Sequence, residues 1–485
     1  MLKAKGRSIA NVNRIALLAG AVCAVLVIAA SGYFALTSGS PTTTISRTGS
    51  SLTSSSQSSV LSSAGCNQAK NGYFHDWTTY HGNNSRSGYV VSSGVCPNEA
   101  WTSQVLDGEV YAEPLVYHGI VLAATENNSV YALNATSGSM LWRTNLGTPM
   151  PGSALPCGDI SPSGITGTPV IDPTTDTIYV VTFQTPGGHH LVALDVRDGV
   201  VKFSELADPP GADPFVEQER GALLLGSGRV YIPYGGLDGD CGDYHGWVVG
   251  LSVDGSGGMI SYEVPSQREA GIWAPSGGAM DSSGNLFVAT GNGASDSTFD
   301  FGNSVIELSP SLQPLGYFAP TDWKQLNQGD TDLGSVGPAF VNQDVLFQIG
   351  KEGVGYLLNP ANLGGIGGQE FAEQVCSSAF GGTAVSGSTV FVPCTDGLVA
   401  LLVSPNSFQV IWRDSGFPAG PPIVTGNVVW ALDTSTGTLK GYNSSTGASL
   451  FTFNVGGVTR FTTPSFGDGS LFVAAGDSLY SFQLS

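Results

Sequence analysis

Three features of the sequence together predict an all-β chain: an eight-bladed β-propeller of four-stranded blades, preceded by a single N-terminal transmembrane helix and a disordered stalk. A short strand motif, Val130-Tyr131-Ala132-Leu133, recurs until it has been used eight times. The 67 glycines of the 485 residues fall at turn spacing between apolar runs. Helical periodicity is absent after the N-terminus. Many short strands at regular intervals, each with its turn signals, are the mark of a radial β array.

One segment displays the unit. In residues 113–147, EPLVYHGIVLAATENNSVYALNATSGSMLWRTNLG, strands are expected over 114–117, 120–125, 129–133 and 139–144. His118-Gly119, Glu126-Asn127-Asn128 and residues 134–138 are the turns between them. Runs of Val, Tyr, Ile and Leu suit a pleated, packed surface, and Gly and Asn tolerate turn conformations. Such a unit cannot bury both faces alone, so it requires copies of itself. The copies begin at Leu191, Trp247, Val305, Tyr356, Val399, Leu439 and Leu479. Their spacing shrinks from about 60 residues to about 40, so the early blades carry longer loops. The last unit stops at Ser485 after its third strand. A spare strand at 100–106, AWTSQVL, is expected to fill the gap and close the ring, which removes an exposed edge.

The N-terminus divides into a basic tail at 1–14, a membrane span at 15–37 and a stalk at 38–65, ahead of the propeller at 66–485. Residues 15–35 contain no charge and are long enough to cross roughly 30 Å of hydrocarbon as a helix. Basic residues precede the span, so the propeller is expected outside the cytoplasm, periplasmic or on the cell surface, on a single-pass anchor. A cleaved signal peptide is the alternative; its apolar core usually runs about 7–15 residues. The stalk has 17 Ser or Thr in 28 residues and cannot form a core.

Net charge is −20. Four of the 18 basic residues (Lys3, Lys5, Arg7 and Arg14) precede the apolar run, which leaves 14 to face 38 acids. This balance excludes nucleic acid as a partner, because phosphate binding needs clustered Lys and Arg. Few cations also suit an acidic surrounding, where protonated carboxylates leave little positive charge to repel. Cys23 lies in the apolar span. The other six cysteines imply disulfides in an exported domain. Nearest-neighbour pairing gives Cys66–Cys96, Cys157–Cys241 and Cys376–Cys394, one of fifteen possible sets. No CxxC motif occurs, so neither a zinc ribbon nor covalent haem is indicated.

The repeat VYALNATSGSMLW, residues 130–142, resembles the pyrroloquinoline quinone (PQQ) repeat of the quinoprotein dehydrogenases. The non-enzymatic propeller lipoprotein of the outer-membrane assembly machine is similar too. The lead-in HDWTTYHGNNSRSG, residues 75–88, adds to the likeness. Four stretches resemble the enzymes' functional motifs. In GIW, Trp273 is implied as the aromatic floor under the quinone. In ATGNG, Asn292 is implied as a Ca²⁺ ligand. In GDTDLGS, Asp332 is implied as the catalytic carboxylate and a metal ligand, with Asp330 beside it. In GKEGVGYLLNP, Lys351 is implied as the cation at the quinone oxygens. The set is chemically coherent: a flat quinone wants an aromatic floor, Ca²⁺ wants hard oxygens, a carboxylate takes a hydroxyl proton, and a cation steadies developing negative charge.

Two departures stand against it. Residues 155–169 hold only Cys157 where those enzymes have adjacent cysteines, and residues 236–251 contain no Glu, leaving Asp238, Asp240 and Asp243 as substitutes. Each site residue also has a structural reading: Trp273 in a core, Asn292 in a turn, Asp330 and Asp332 bracing a turn, Lys351 at a hairpin tip. His245 is expected as a hydrogen-bonded loop residue, and His189-His190 as an exposed turn. Two functions follow. The departures favour a platform that binds a protein, glycan or small molecule at the cell surface. The alternative is a PQQ- and Ca²⁺-dependent dehydrogenase of alcohols or sugars. Convergence of Trp273, Asn292, Asp332 and Lys351 on one cavity would favour the enzyme.

Overall fold

Blade 1 shows how the repeat folds. In the computed structural model, which describes residues 75–92 and 96–484, its strands are Leu115–Tyr117, Ile120–Ala124, Ser129–Asn134 and Met140–Asn145, paired antiparallel in that order. The inner three strands are buried along nearly their whole length, because neighbouring blades cover both faces. The outer strand is mostly exposed. The first turn places His118 at φ 49° and Gly119 at φ 79°. Two consecutive positive φ angles match the right-handed twist of the flanking strands, and glycine adopts the second without steric cost.

Eight such sheets make the propeller, five of four strands and three of five among the described residues. The additional strands are small. Tyr89–Val90 lies parallel to Ile423–Thr425, Gly365–Ile366 lies parallel to Pro314–Ala319, and Glu217–Glu219 pairs with Arg229–Gly236. Blade 8 is completed by Pro97–Thr102, antiparallel to Ser478–Leu484, with Pro97 opposite Leu484 and Thr102 opposite Tyr480. This strand starts three residues before the 100–106 segment and stops at Thr102. Its partner begins at Ser478, next to the Gly476 turn (φ 59°), so beyond residue 104 there is no strand left to pair with. Ser103 N and Leu106 N still reach across, to Leu479 O and Asp477 O at 2.8 Å each, and Leu479 N donates to Ser103 Oγ at 2.9 Å.

Among the described residues, three of the eight blade junctions are joined by a tryptophan of the outer strand. Trp142 Nε1 donates to Val196 O of blade 2 at 2.9 Å, and Trp412 Nε1 to Ser444 O of blade 7 at 2.8 Å. Trp101 of the closing strand does the same to Ala135 O of blade 1 at 2.9 Å, so the seam uses the same contact as the blades. Each indole lies on a turn glycine. A Cβ on Gly138, Gly199 or Gly447 would come within 2.6, 2.5 and 2.7 Å of Trp101, Trp142 and Trp412.

Residues 75–90 cross the inner strands at one end of the axis. Backbone amides of Val116, Ile171, Met280, Phe340, Val385 and Val424 donate in turn to the carbonyls of Trp77, Thr78, Asn84, Ser85, Ser87 and Gly88. The predicted tail, membrane span, stalk and Cys66 lie outside the described residues. Among the described residues no helix is long and apolar enough to cross a membrane. Disulfides join Cys157 to Cys241 and Cys376 to Cys394. Cys96 is also disulfide-bonded.

Candidate functional site

Turns after the second strands of blades 3, 4 and 5 meet the inter-blade connections around a central cavity of about 490 Å³. That volume lies in the usual range for a small-molecule site, roughly 300–1,000 Å³. Trp273, Asn292, Asp330, Asp332 and Lys351 all line it. Trp273 comes from the connection into blade 4, and Asn292 follows Leu286–Ala289. Asp330 and Asp332 follow the short helix Trp323–Gln328, and Lys351 follows Val345–Gln348.

Asp332 is the hub. Its side chain is 5 % exposed. Oδ1 accepts from Asn292 N at 2.7 Å, and Oδ2 pairs with Lys351 Nζ at 2.8 Å. Its carbonyl accepts from Lys351 N at 2.8 Å, which pins the turn after Val345–Gln348 to the start of the helical turn Leu333–Ser335. Burial raises the carboxyl's proton affinity, against the opposing pull of the Lys351 ammonium. Desolvation works to lower Lys351, but Asp332 and Asp330 together hold its affinity above the ordinary lysine value. Asp330 belongs to the rim: its side chain is 65 % exposed, and Oδ1 takes Lys351 Nζ at 2.8 Å. Lys351 Nζ also lies 5.8 Å from the centre of the Trp273 ring.

Gly291 makes this packing possible. A Cβ there would lie 2.9 Å from Asp332 Oδ1 and 3.0 Å from Trp273 Nε1. Asn292 Nδ2 reaches Glu269 Oε2 at 3.3 Å. Glu269 is 7 % exposed and is ion-paired with Arg268. Burial raises its proton affinity, with Arg268 opposing. A Glu therefore stands beside Asn292 and Asp332 after all, supplied by the connection into blade 4, two residues before GIW. Of the proposed substitutes, Asp238 and Asp240 line the cavity. Asp243 does not: its side chain is 83 % exposed, 3.9 Å from His245.

Asn292 and Asp332 offer hard oxygens at the cavity wall, the donor chemistry that Ca²⁺ prefers, with Glu269 bonded to Asn292 but not part of the wall, and Trp273 with Lys351 offers a ring and a cation. The residues present fit a Ca²⁺–quinone pair. Cys157 contributes differently from the adjacent pair of the resembling enzymes. It is bonded to Cys241, 84 residues away, and the sequence neighbours of the two cysteines, Asp159 and Asp240, line the cavity. The compact cluster Cys376, Cys394 and Asp396 is no metal site, since its thiols are joined in a disulfide.

The histidines divide. His245 Nδ1 bonds Ser266 Oγ at 3.0 Å, as a loop histidine should. His189 is not exposed. It lies in the strand Gly188–Asp195, 1 % accessible, stacked on Phe183 at 4.1 Å with Nδ1 2.9 Å from Asp208 Oδ1. Gly187 closes the turn and Gly188 already begins the strand, which leaves His189 and His190 inside it. Arg220, Phe380, Arg460 and Phe461 complete the cavity wall and carried no signal in the sequence. They are single residues on three separate connections, brought together only by ring closure.

Residues 97–306 match the family model described as outer membrane protein assembly factor BamB. The chain carries the PQQ-like propeller repeat. Its fold is similar to quinohemoprotein alcohol dehydrogenase ADHIIG of Pseudomonas putida HK5, with a TM-score of 0.68 and 15 % identity over 84 % of this chain and 80 % of that one. The quinohemoprotein alcohol dehydrogenase of Comamonas testosteroni gives 0.65 and 16 %, over 84 % and 80 %. BamB from Moraxella catarrhalis gives 0.55 and 15 %, over 80 % of this chain and 100 % of that one. At these identities the likeness speaks for the PQQ-like fold alone. No curated protein matches the chain at a significant level.

Proposed function

We propose that this PQQ-like propeller binds pyrroloquinoline quinone with Ca²⁺ in the central cavity and acts as a dehydrogenase of an alcohol or sugar. One observation carries the reading: Trp273, Asn292, Asp332 and Lys351, scattered over four motifs, line the same cavity. When bound, the quinone and its metal would supply a two-electron acceptor and a Lewis acid.

The chain's own residues do the rest. Trp273 offers a flat floor, Asn292 and Asp332 offer oxygen ligands, and Glu269 orients the Asn292 amide from behind. Asp332 is the base that takes the substrate hydroxyl proton. Burial raises its proton affinity, which strengthens it as a base, and the Lys351 ammonium opposes that rise. Lys351 also orients the carboxylate through two contacts, Nζ to Oδ2 and N to the carbonyl. We further propose that the domain works outside the cytoplasm, held by an anchor at 15–37; the disulfides support an oxidising compartment.

A second reading, a binding platform without a cofactor, is favoured by Arg220. Its guanidinium carbon lies 5.8 Å from the Trp273 ring centre and 4.7 Å from that of Phe461, where it competes for the ring that a flat ligand would need. The test is a titration of the purified protein with PQQ, with and without Ca²⁺, read by tryptophan quenching and thermal stability. The enzyme reading expects Ca²⁺-dependent binding in the micromolar range or tighter, lost in Lys351→Ala and Trp273→Ala. Absence of binding by the folded protein would leave the platform.

A further inference from the structure

Cations are scarce in this chain, yet three line one cavity: Arg220, Lys351 and Arg460. Lys351 is neutralised by Asp330 and Asp332. The two arginines are not. Among the described residues, neither guanidinium makes an ion pair or a hydrogen bond; both rest on aromatic rings instead. They share Phe461, with Arg220 4.7 Å and Arg460 5.9 Å from its centre. Arg460 also covers Phe380 at 5.0 Å. Arg220 feels the carboxylates of Asp159, Asp238 and Glu126, but none is within ion-pair distance, and the Arg460 charge works against it.

Two like charges around one ring raise each other's energy unless an anion stands between them. Each guanidinium is held beside its rings, with no protein acceptor on its N–H edge among the described residues. That edge presents donors in a fork that matches a carboxylate. Arg460 is exposed at the mouth and Arg220 is half-buried farther in, so an anion would meet cations along its way.

We propose that the cavity takes an organic anion that also carries hydroxyl groups, a hydroxy acid or sugar acid, with its carboxylate on Arg460 and Arg220 and a hydroxyl toward Asp332. The role of that hydroxyl rests on the dehydrogenase reading; the carboxylate site does not.

Gluconate and sorbitol are both open-chain polyols of the same carbon count and differ only at C1, a carboxylate in one and a hydroxymethyl group in the other, so they are suitable probes. Calorimetric titration of the full-length protein should find gluconate at least about tenfold tighter than sorbitol. Arg460→Gln should bring the two within about threefold, and Arg460→Lys, which keeps the charge without the fork, should lose most of the preference. The PQQ and Ca²⁺ titration of Arg460→Gln should match that of the unaltered protein. Equal binding of the two probes, or no binding of either, overturns the proposal. So does a preference that survives Arg460→Gln. Competition between gluconate and PQQ, or weakened PQQ binding by Arg460→Gln, would assign the arginines to the cofactor and also overturn it. If PQQ fails to bind while gluconate still depends on Arg460, the dehydrogenase reading falls and the anion site stands.

Discussion

Lys351 and Asp332 face each other at 2.8 Å with the carboxylate almost out of water. Breaking such a pair from one side leaves a buried charge without its partner, which typically costs about 3–5 kcal/mol. Lys351→Met should therefore destabilise the protein by an amount of that order, in urea unfolding followed by tryptophan fluorescence. Lys351→Met combined with Asp332→Asn should recover a good part of the loss, because the orphaned charge is gone. A double mutant as unstable as the sum of the two singles would show that the side chains act independently. This pair was legible in the sequence because each partner sits in a contiguous motif, GDTDLGS and GKEGVGYLLNP. Trp273 and Asn292 were legible for the same reason. Glu269, Arg220 and Arg460 were not. Nothing in the local spacing marks them, and what makes each notable is a neighbour many residues away: Asn292 for Glu269, Phe461 for Arg220, Phe380 for Arg460.

The outer-strand tryptophan and the turn glycine beneath it form one joint of the ring, and the joint is testable at Gly199. Its φ is 71°, a region that side chains rarely adopt, and a Cβ would stand 2.5 Å from Trp142. Gly199→Val should cost about 2 kcal/mol or more, as strain and displaced packing together do. Trp142→Ala should cost about 2 kcal/mol, less than for a core tryptophan, because the indole is only partly buried. Thermal unfolding of each variant alone and of both together checks the coupling: with the indole removed, the valine should do less further harm. Undiminished harm would mean that backbone strain alone accounts for Gly199. The eight-blade count, the four-strand unit and the two described disulfide pairs could be read from recurrence and spacing. Strand ends could not. The seam strand is set by where Ser478–Leu484 begins and ends, so Pro97–Thr102 takes its limits from residues at the other end of the chain.

Taken whole, the propeller buries several carboxylates that resist ionisation. Burial pushes Glu126 up to about 7 and Glu217 up to about 8, with hydrogen bonds from Gly164 N and His245 N working the other way. Burial also raises Glu113 and Glu219 well above the usual carboxylate range. Each binds its proton more tightly folded than unfolded. The stability they lend is thus fully present below the unfolded value near 4.5 and is lost as pH rises through the folded values. Glu126 alone, raised from 4.5 to about 7, corresponds to a change on the order of 3 kcal/mol. Mutual repulsion within a chain of net charge −20 acts in the same direction. Carboxylates held low by hydrogen bonds, such as Asp107, Asp172 and Asp433, oppose it only below about pH 4, where they take up protons. Stability should therefore peak near pH 4–5 and fall steadily to pH 8. Melting temperatures across that range test this directly, and Glu126→Gln should flatten the part of the fall between about pH 5 and 7. A melting temperature that climbs from pH 5 to 8 would mean that these carboxylates are ionised in the folded protein. In that case the acid-tolerant composition would reflect its surface alone.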